Sequence, residues 1–296
     1  MTWIGWLIER LERAWFPPKR NFRRELVLGF VVAGVVVGGL GVGYFLLRSY
    51  LRQAFFLGFF LVEVFLIFNF LSLRTLLRRG GEVQVALQRG DLPRARAGLR
   101  HLVGRDTEHL SQWEVVRGCL ESLAENFNDG VVAPLFYIFF LGGLGGLIYK
   151  ATNTLDSMLG YRDYRYFFFG FASAKLDDIL NFLPARLSVF PLSLAAFILG
   201  YSGWGALRVA LRDARLHPSP NSGWPESTLA GALGVRLGGV NYYQGKREER
   251  PFLGDPIKEL TSGRIGEALS LIKIAGWLTV GFLGGIGILV GKFWLG

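Results

Sequence analysis

The stretch LVLGFVVAGVVVGGLGVGYFLL, residues Leu26–Leu47, contains no charged side chain and is long enough to cross a membrane as a helix. A transmembrane helix needs about 20 apolar residues to span roughly 30 Å of hydrocarbon. Further runs of this kind are Ala54–Leu73, Val131–Tyr149, Leu187–Leu207 and Ile274–Gly291, and only Glu63 brings a charge into any of them. One such run could form a buried core helix, but five in a chain of 296 residues predict an integral membrane protein.

We therefore predict an all-α fold, a polytopic membrane helical bundle with about five transmembrane helices and helical cytoplasmic loops. The spans are placed at about 26–47, 54–73, 131–149, 187–207 and 274–291, and the polar loops at 74–130, 150–186 and 208–270. All belong to a single membrane-embedded domain over residues 1–296. Charges at Glu9, Arg10, Glu12 and Arg13 make Met1–Phe16 a predicted amphipathic helix at the membrane interface, not a cleavable signal.

The basic residues alternate in number along the chain. Lys and Arg number six before the first span, two in 48–53, nine in 74–130, five in 150–186, nine in 208–270 and two after 270. Loops rich in Lys and Arg stay in the cytoplasm. The pattern predicts a multi-pass protein of the cell (inner) membrane with its N-terminus and main polar loops cytoplasmic. It also explains the net charge of +10 without a nucleic-acid partner, and none is expected.

Several common sites are absent from the sequence. Cys119 is the only cysteine, so there is no disulfide framework and no thiolate metal site. Three histidines, His101, His109 and His217, are too few and too scattered for a metal-ligand spacing. No P-loop and no GxGxxG element is present, so a nucleotide would have to be held by a less familiar arrangement.

The first polar loop reads as short helices. Asp91 can cap a helix over Leu92–Val103, and Ser111-Gln112-Trp113-Glu114 is a capping box for a second helix. In the second helix the predicted apolar face is Trp113, Val116, Leu120 and Leu123, and the charged face is Glu114, Arg117, Glu121 and Glu125. We expect a solvated charged face, with Glu125 set apart because it stands at the membrane boundary.

The second polar loop contains His217–Glu226, which has three prolines and is predicted to be neither helix nor central strand. Its polar side chains between prolines favour a binding loop over a plain connector. In 150–186, Lys175 and Asp178 can pair, whereas Asp177 faces Asn181. Adjacent carboxylates near a membrane need a cation, either in an ion pair or as a metal. Glu63 is expected to be protonated and hydrogen-bonded inside the bundle.

Several blocks together resemble one known family. They are Gly104–Thr107, Glu125–Tyr137, Asn153–Met158, Gly160–Arg162, Ala174–Asp178, Pro184–Arg186 and Ser219–Gly239. In this order they resemble the CobD/CbiB family of cobalamin biosynthesis proteins, the adenosylcobinamide-phosphate synthases, from about Ile4 to Gly254. The segments ENFNDGVVAP and SPNSGWPE are long and unusual, which makes the resemblance specific.

The resemblance implies an ATP-dependent ligase of cobalamin biosynthesis. Such a protein joins adenosylcobyric acid, a corrinoid, to (R)-1-amino-2-propanol O-phosphate or a related amino-alcohol phosphate, giving adenosylcobinamide phosphate. ATP and Mg²⁺ are the implied cofactors, because a carboxylate must be activated before an amine can attack it. The implied partners are these substrates and membrane lipid, while contact with a second copy or with other enzymes of the pathway stays open.

Site residues follow from the same resemblance. The expected catalytic residues are Glu226, Asp129 and Glu125, with Glu226 as the base for the ammonium proton. The expected substrate- and phosphate-binding residues are Arg105, Arg162, Lys175, Arg186, Ser219, Asn221 and Arg236. Candidate magnesium ligands are Asp129, Asp156, Asp177 and Asp178, the first two being preferred. The alternative for Glu226 is that it merely caps the helix that follows.

Other interpretations remain at this point. Family members usually begin with a further hydrophobic segment. The present sequence starts, at Met1, just after the place where that segment would end, and whether the segment is missing stays open. Charge counting puts 150–186 outside the cell. The family motifs in this segment nevertheless look like parts of the same site as those in the two cytoplasmic segments. Either Val131–Tyr149 is therefore re-entrant, or 150–186 folds back into the bundle. A non-catalytic AmpE-like membrane sensor would show eroded loop motifs, and a transporter would leave SPNSGWPE unexplained. The intact loops favour the enzyme.

Overall fold

The computed structural model describes residues 3–17, 21–160 and 165–295, without the side chains of 56 and 287–295. Its helices are α1 (Trp3–Trp15), α2 (Phe22–Ala54), α3 (Phe56–Phe70), α4 (Leu73–Gln88), α5 (Leu92–Arg100), α6 (Gln112–Phe127), α7 (Ala133–Leu159), α8 (Phe171–Leu187), α9 (Val189–Ile198), α10 (Gly203–Asp213), α11 (Gly223–Leu233) and α12 (Ser262–Leu295). A π-helical turn, Asn128–Val132, follows α6, and a 3₁₀ turn, Ala214–Leu216, follows α10. Strands β1 (Leu237–Tyr243) and β2 (Lys246–Leu253) form an antiparallel hairpin.

The all-α membrane fold is confirmed. Among the described residues, five stretches are long and apolar enough to cross a membrane: Phe22–Ala54, Leu57–Gln88, Gln112–Leu159, Phe171–Ile198 and Ser262–Ile286. The fourth was predicted too late in the chain. Gly200, with a φ of 73°, separates α9 from α10 inside the predicted span 187–207, and the apolar helical stretch begins at Phe171 instead.

The chain divides into two compact units. The first unit comprises Met1–Leu71 and Ala133–Asn181, and the second comprises Ser72–Val132 and Phe182–Gly296. That the whole chain forms a single domain stays a prediction.

In the first unit, α7 folds back on itself at Gly142, whose φ of 61° and ψ of −151° break the helix. The rings of Tyr137 and Tyr149 stack with centroids 5.5 Å apart. In a straight helix these residues would be separated by about 18 Å along the axis. A Cβ on Gly145 would lie 2.2 Å from the carbonyl oxygen of Tyr137, so glycine permits the close approach. This helical hairpin supports the re-entrant interpretation of Val131–Tyr149.

Glu63 has two partners at the break in α7. Its Oε2 accepts a hydrogen bond from the backbone N–H of Gly143 at 3.0 Å, and its Oε1 accepts one from the hydroxyl of Tyr44. A carboxyl group at the start of a helical segment satisfies an otherwise unpaired N–H there. The prediction that Glu63 is hydrogen-bonded inside the bundle is confirmed, and its protonation stays a prediction.

Helix α1 packs against the first unit through one face only. Ile4 and Ile8 are buried, while Trp3 and Trp6 are exposed, as expected of an amphipathic interfacial helix. Glu12 accepts hydrogen bonds from Arg165 at 2.8 Å and from the hydroxyl of Tyr166 at 2.7 Å.

In the second unit, both predicted helix starts are confirmed. The Asp91 side chain accepts from the N–H of Arg94 at 3.0 Å, and Ser111 with Glu114 forms the capping box. The predicted solvated face of α6 is wrong, because Arg117 and Glu121 are each only 3% exposed. The β-hairpin covers them, and the sequence analysis did not predict it. Trp113, placed on the apolar face, is exposed instead.

Candidate functional site

The base of the site is a buried ionic network between α6 and the β-hairpin. Arg105 donates to Oε2 of Glu121 at 2.5 Å and to Oδ1 of Asn241 at 2.6 Å. The other oxygen of Glu121 accepts from the N–H of Gly238 at 2.8 Å. Arg117 donates to the carbonyl oxygens of Gly238 and Val240 and to Asn241. Arg105 and Glu121 thus form an ion pair, and Arg117 is held by neutral oxygen acceptors, so every charge in the network is hydrogen-bonded, as buried charges require.

Asp106, next to Arg105, fixes the tip of the hairpin. Its two carboxylate oxygens accept from the N–H groups of Gln244 and Gly245 at 3.1 and 2.7 Å. Both turn residues have positive φ values, 52° and 76°, as the mirror-image turns of tight hairpins demand. The GRDT segment therefore holds the hairpin onto α6. Because two nitrogens of Arg105 are already engaged in that scaffold, its predicted role in substrate binding finds no support in the geometry.

A second set of contacts ties the Ser219–Ser222 turn to the end of α6. The hydroxyl of Ser222 donates to Oε1 of Glu125 at 2.8 Å, and its oxygen lies 3.1 Å from Oγ of Ser219. Ser219 Oγ also accepts from the N–H groups of Asn221 and Ser222. Glu125 and Ser219, two predicted site residues far apart in sequence, are therefore brought together. Asn221 is buried in the same turn.

Glu226 lies in the first turn of α11, which begins at Gly223, so the last residues of the predicted irregular segment are helical. Pro225 is tolerated there, because the first turn has no intrahelical partner for its missing N–H. Glu226 is 3% exposed, and its Oε1 lies 3.7 Å from Nε2 of His217. The described structure records no hydrogen bond from its side chain to the backbone of α11, so the capping alternative gains no support.

The electrostatics of the pair are unusual. Burial raises the pKa of Glu226 well above its ordinary value, and the charges of Glu121 and Glu125 raise it further, while Arg250 and Arg105 oppose them. Burial and Arg250 lower the pKa of His217. A carboxyl group shifted in this way toward neutral pH is suited to accept and release a proton.

Arg250, on β2, is a cation that the sequence analysis missed. It donates through Nη2 to the hydroxyl of Tyr243 at 2.7 Å and through Nε to Glu248 at 3.1 Å. Its charge acts on Glu226 and Glu125. The sequence gave no signal for it, because KREER in β2 resembles an ordinary solvated charge run.

The predicted metal ligands divide between the two units. Asp129 in the π-helical turn accepts from the amide of Asn128 at 2.9 Å. In the first unit Asp178 pairs with Lys175 at 3.0 Å, and Asp177 accepts from Asn181 at 2.9 Å, as predicted. Asp156 is half-buried in α7, close against Gly160. Within the described part of the chain, no three His, Cys, Asp or Glu side chains are grouped so that they could hold a metal. The metal assignments stay predictions.

The remaining predicted cations are scattered. Arg186 lies over the ring of Trp224, with its Cζ 5.0 Å from the ring centroid, beside the start of α11. Arg236 is exposed and stacks on Phe252 at 4.2 Å. Arg162 lies outside the described residues, and so does Tyr161 of the same motif.

His217, Glu121 and Arg117 are the other residues that sequence reasoning missed or misjudged. His217 was dismissed because three histidines cannot form a metal site, a criterion that says nothing about a single His beside a carboxylate. Glu121 and Arg117 were placed on a solvated face because their partners, Gly238 and Asn241, are more than a hundred residues away in sequence. Only the helical alignment of Arg117, Glu121 and Glu125 hinted at one shared surface.

The chain is similar to proteins of one known family. The family model described as CobD/Cbib protein matches residues 1–272. The chain is 54% identical over 190 residues to "Cobalamin biosynthesis protein CobD" of Geobacter metallireducens, covering 64% of this chain and 60% of that relative. It is 43% identical over 228 residues to the Klebsiella pneumoniae protein of the same name, covering 77% of this chain and 70% of that relative. It is 42% identical over 216 residues to "Cobalamin biosynthesis protein CbiB" of Salmonella typhimurium, covering 73% and 68%.

No solved structure matches the chain. The chain spans about three fifths of the length of the Geobacter relative. The family model, however, covers far more than half of the present chain, and the segments that form the network around Glu121, Glu125 and Glu226 all lie within it. The chain therefore belongs to the CobD/CbiB family.

Proposed function

We propose that this protein acts in cobalamin biosynthesis as an ATP-dependent ligase of the inner membrane. It joins adenosylcobyric acid to (R)-1-amino-2-propanol O-phosphate, or a related amino-alcohol phosphate, and yields adenosylcobinamide phosphate. The observation that carries the proposal is the convergence of three family-like segments in one compact unit. Glu125 is bound to Ser222 of the segment Ser219–Gly239, and Gly104–Thr107 is bound through Arg105 to Asn241 of the strand that continues from that segment. At their meeting point is Glu226, a buried acid with a raised pKa.

The chemistry requires two steps. The corrinoid carboxylate first attacks the γ-phosphorus of ATP, so that a carboxylate–phosphorus bond forms and ADP leaves. The amine nitrogen then attacks the acyl carbon, the bond from that carbon to the phosphate oxygen breaks, and inorganic phosphate leaves with the bonding electrons. Because the amine arrives as an ammonium ion, it must lose a proton before it can attack, and Glu226 is the group we assign to accept it.

Positive charge near Glu226 suits the two phosphate-bearing substrates. Arg250 faces the acids of the site from β2, and Arg186 borders α11 at Trp224. Arginine side chains bind phosphate oxygens through several N–H groups at once. These two residues, with Arg236 of the same unit as a sequence-based candidate, would hold phosphate groups of ATP and the amino-alcohol phosphate. The assignments of Lys175 and Arg162 stay predictions from the sequence.

Mg²⁺ would enter with ATP, and the residues present fit it. Glu125 is exposed near the end of α6, and Asp129 is half-buried four residues later in the π-helical turn, so two carboxylates stand within about one helical turn of each other in sequence. Magnesium in phosphoryl-transfer sites takes one or two carboxylates and completes its octahedron with phosphate oxygens and water. Bound there, it would neutralise phosphate charge.

The test is a reconstituted assay with the full chain purified in detergent, adenosylcobyric acid, ATP and Mg²⁺. We expect ADP release only when both the corrinoid and an amino-alcohol phosphate are present, and mass spectrometry should show an amide product. Omitting each substrate in turn, and trying several amines, identifies the preferred nucleophile. Corrinoid binding without ADP release would contradict the ligase and favour the sensor-like alternative.

A further inference from the structure

One tautomer of His217 is set by the chain itself. The backbone N–H of Ser219 donates to Nδ1 of His217 at 3.0 Å. Nδ1 also lies 3.3 Å from the carbonyl oxygen of Ser219. The contact with the N–H is the shorter of the two, and a nitrogen that accepts a hydrogen bond carries no proton in the neutral ring, so we assign the proton of neutral His217 to Nε2. His217 lies close against the first residue of α11, since a Cβ on Gly223 would lie 2.7 Å from Cβ of His217.

The protonated nitrogen faces one acceptor. Nε2 of His217 is buried and makes no hydrogen bond within the described residues, and Oε1 of Glu226 lies 3.7 Å from it. An N–H···O bond is about 2.9 Å long, so a shift of well under 1 Å would complete it. Both side chains are at least nine-tenths shielded from solvent, with exposures of 5% and 4%. Water is therefore a poor substitute for either partner.

The surrounding charges make such a donor necessary for an ionised Glu226. Five charged or titratable groups act on it or lie beside it: Glu121 and Glu125 from α6, Arg105 from the segment before α6, Arg250 from β2, and His217 from the turn before α11. The two acids oppose ionisation and the two arginines favour it. None of the hydrogen bonds found in the described structure ends on the Glu226 carboxyl, and Nε2 of His217 is a group able to donate one after a small shift.

We propose that His217 is a positioning residue for Glu226: its Nε2–H orients the carboxylate and stabilises the ionised form that takes the proton from the incoming ammonium. The proton passes from nitrogen to a carboxylate oxygen of Glu226, leaving a neutral amine and a neutral acid. His217 gains and loses no proton in this step. The inference rests on the proposed function and adds to it a residue that the sequence analysis had set aside.

Two substitutions separate this role from packing. His217→Asn keeps an acceptor for the Ser219 N–H but has no donor at the Nε2 position, whereas His217→Gln places an amide N–H near that position. Without the donor the carboxylate anion is less stable, so the pKa of Glu226 rises. We expect the acidic limb of the pH–kcat profile to move to higher pH by about one unit in His217→Asn, with turnover at pH 7 reduced about tenfold. His217→Gln should restore most of both.

A second readout does not depend on turnover. The protonated carboxyl band of Glu226, identified in infrared difference spectra against Glu226→Gln, should titrate at higher pH in His217→Asn than in the unsubstituted protein. Equal titration midpoints would overturn the role of His217 even if the ligase activity is established. Conversely, a shifted midpoint in a protein that releases no ADP would preserve the His217–Glu226 interaction and overturn only the proposed reaction. Melting temperatures of all three proteins exclude simple misfolding.

Discussion

At the residue scale, the second unit buries ionisable groups in two different ways. Glu121 is fully compensated, because Arg105 and the N–H of Gly238 satisfy its two oxygens. Glu226 is not, since its nearest partner is a neutral histidine and two other acids act on it. A compensated charge contributes to a scaffold, whereas an uncompensated buried acid costs folding free energy and is retained where chemistry needs it. This contrast assigns Arg105 and Glu121 to holding the hairpin, and Glu226 to the reaction.

The variant Glu226→Gln tests that contrast by removing the charge and keeping the shape. Turnover should fall about a hundredfold or more, since glutamine cannot take the ammonium proton. The pKa of Glu226 is raised in the folded state. The stability that the protonated side chain contributes is therefore fully present below the pKa of glutamate in the unfolded chain, about 4.3, and is lost as the pH rises through the pKa of the folded state. The melting temperature of Glu226→Gln, relative to that of the unsubstituted protein, should therefore increase as the pH is raised from about 5 to 8.

The control is Glu259→Gln, the same substitution at an exposed glutamate in the same polar segment. It should leave turnover and the pH dependence of melting unchanged. A melting difference between Glu226→Gln and the unsubstituted protein that stays constant with pH would show that Glu226 has an ordinary pKa. Near-normal turnover would move the role of base to Asp129.

At the element scale, the sequence predicted what is local. The Asp91 cap and the Ser111 capping box depend on residues three positions apart, and both are present. The β-hairpin was missed because its stability comes from α6, through contacts such as that between Gly238 and Glu121, which no local pattern announces. The same distance explains why Glu121 was judged to be solvated. The glycine pairs Gly142-Gly143 and Gly145-Gly146 are compatible with a break in α7. Only the stacking of Tyr137 on Tyr149 shows that this helix turns back.

Two glycines of the hairpin provide a matched test of its role. Gly238 and Gly245 both have positive φ values, so alanine at either position costs about 1 kcal/mol in backbone strain. At Gly238 an added Cβ would also lie 2.2 Å from the carbonyl oxygen of Pro251 in β2, whereas at Gly245 it meets nothing within 4 Å. Gly238→Ala must therefore displace a strand and release buried Glu121 and Arg117, which costs about 3–5 kcal/mol.

We expect Gly245→Ala to lower the melting temperature slightly and to keep its activity, while Gly238→Ala lowers it strongly and loses turnover as Arg250 and Glu121 shift. Thermal melts in detergent and the ligase assay measure both effects. Equal effects of the two substitutions would mean that the hairpin is not held to α6 as described.

At the scale of the whole molecule, the remaining issue is which side of the membrane each polar segment occupies. Bonds such as Ser222 to Glu125 hold segments 208–270 and 74–130 together, in agreement with their equal numbers of basic residues. Charge counting alone put 150–186 on the other side. The first limb of α7, Ala133–Leu141, is only about 14 Å long, too short to cross roughly 30 Å of hydrocarbon. If α7 enters the membrane and returns to the same side, 150–186 lies on the same side of the membrane as 74–130 and 208–270. The stretch Phe171–Ile198 must then also begin and end on that side.

Cysteine labelling decides between the two topologies. Three exposed positions are replaced singly: Tyr50→Cys near the end of α2, Glu108→Cys in the first polar segment and Ser157→Cys near the end of α7. Native Cys119 is buried and provides the unlabelled background. With a membrane-impermeant maleimide, we expect intact cells to label only Tyr50→Cys, and opened membranes to label all three, because the α7 hairpin returns Ser157 to the cytoplasmic side. Labelling of Ser157→Cys in intact cells would instead require α7 to cross the bilayer completely, with 150–186 outside and away from cytosolic ATP.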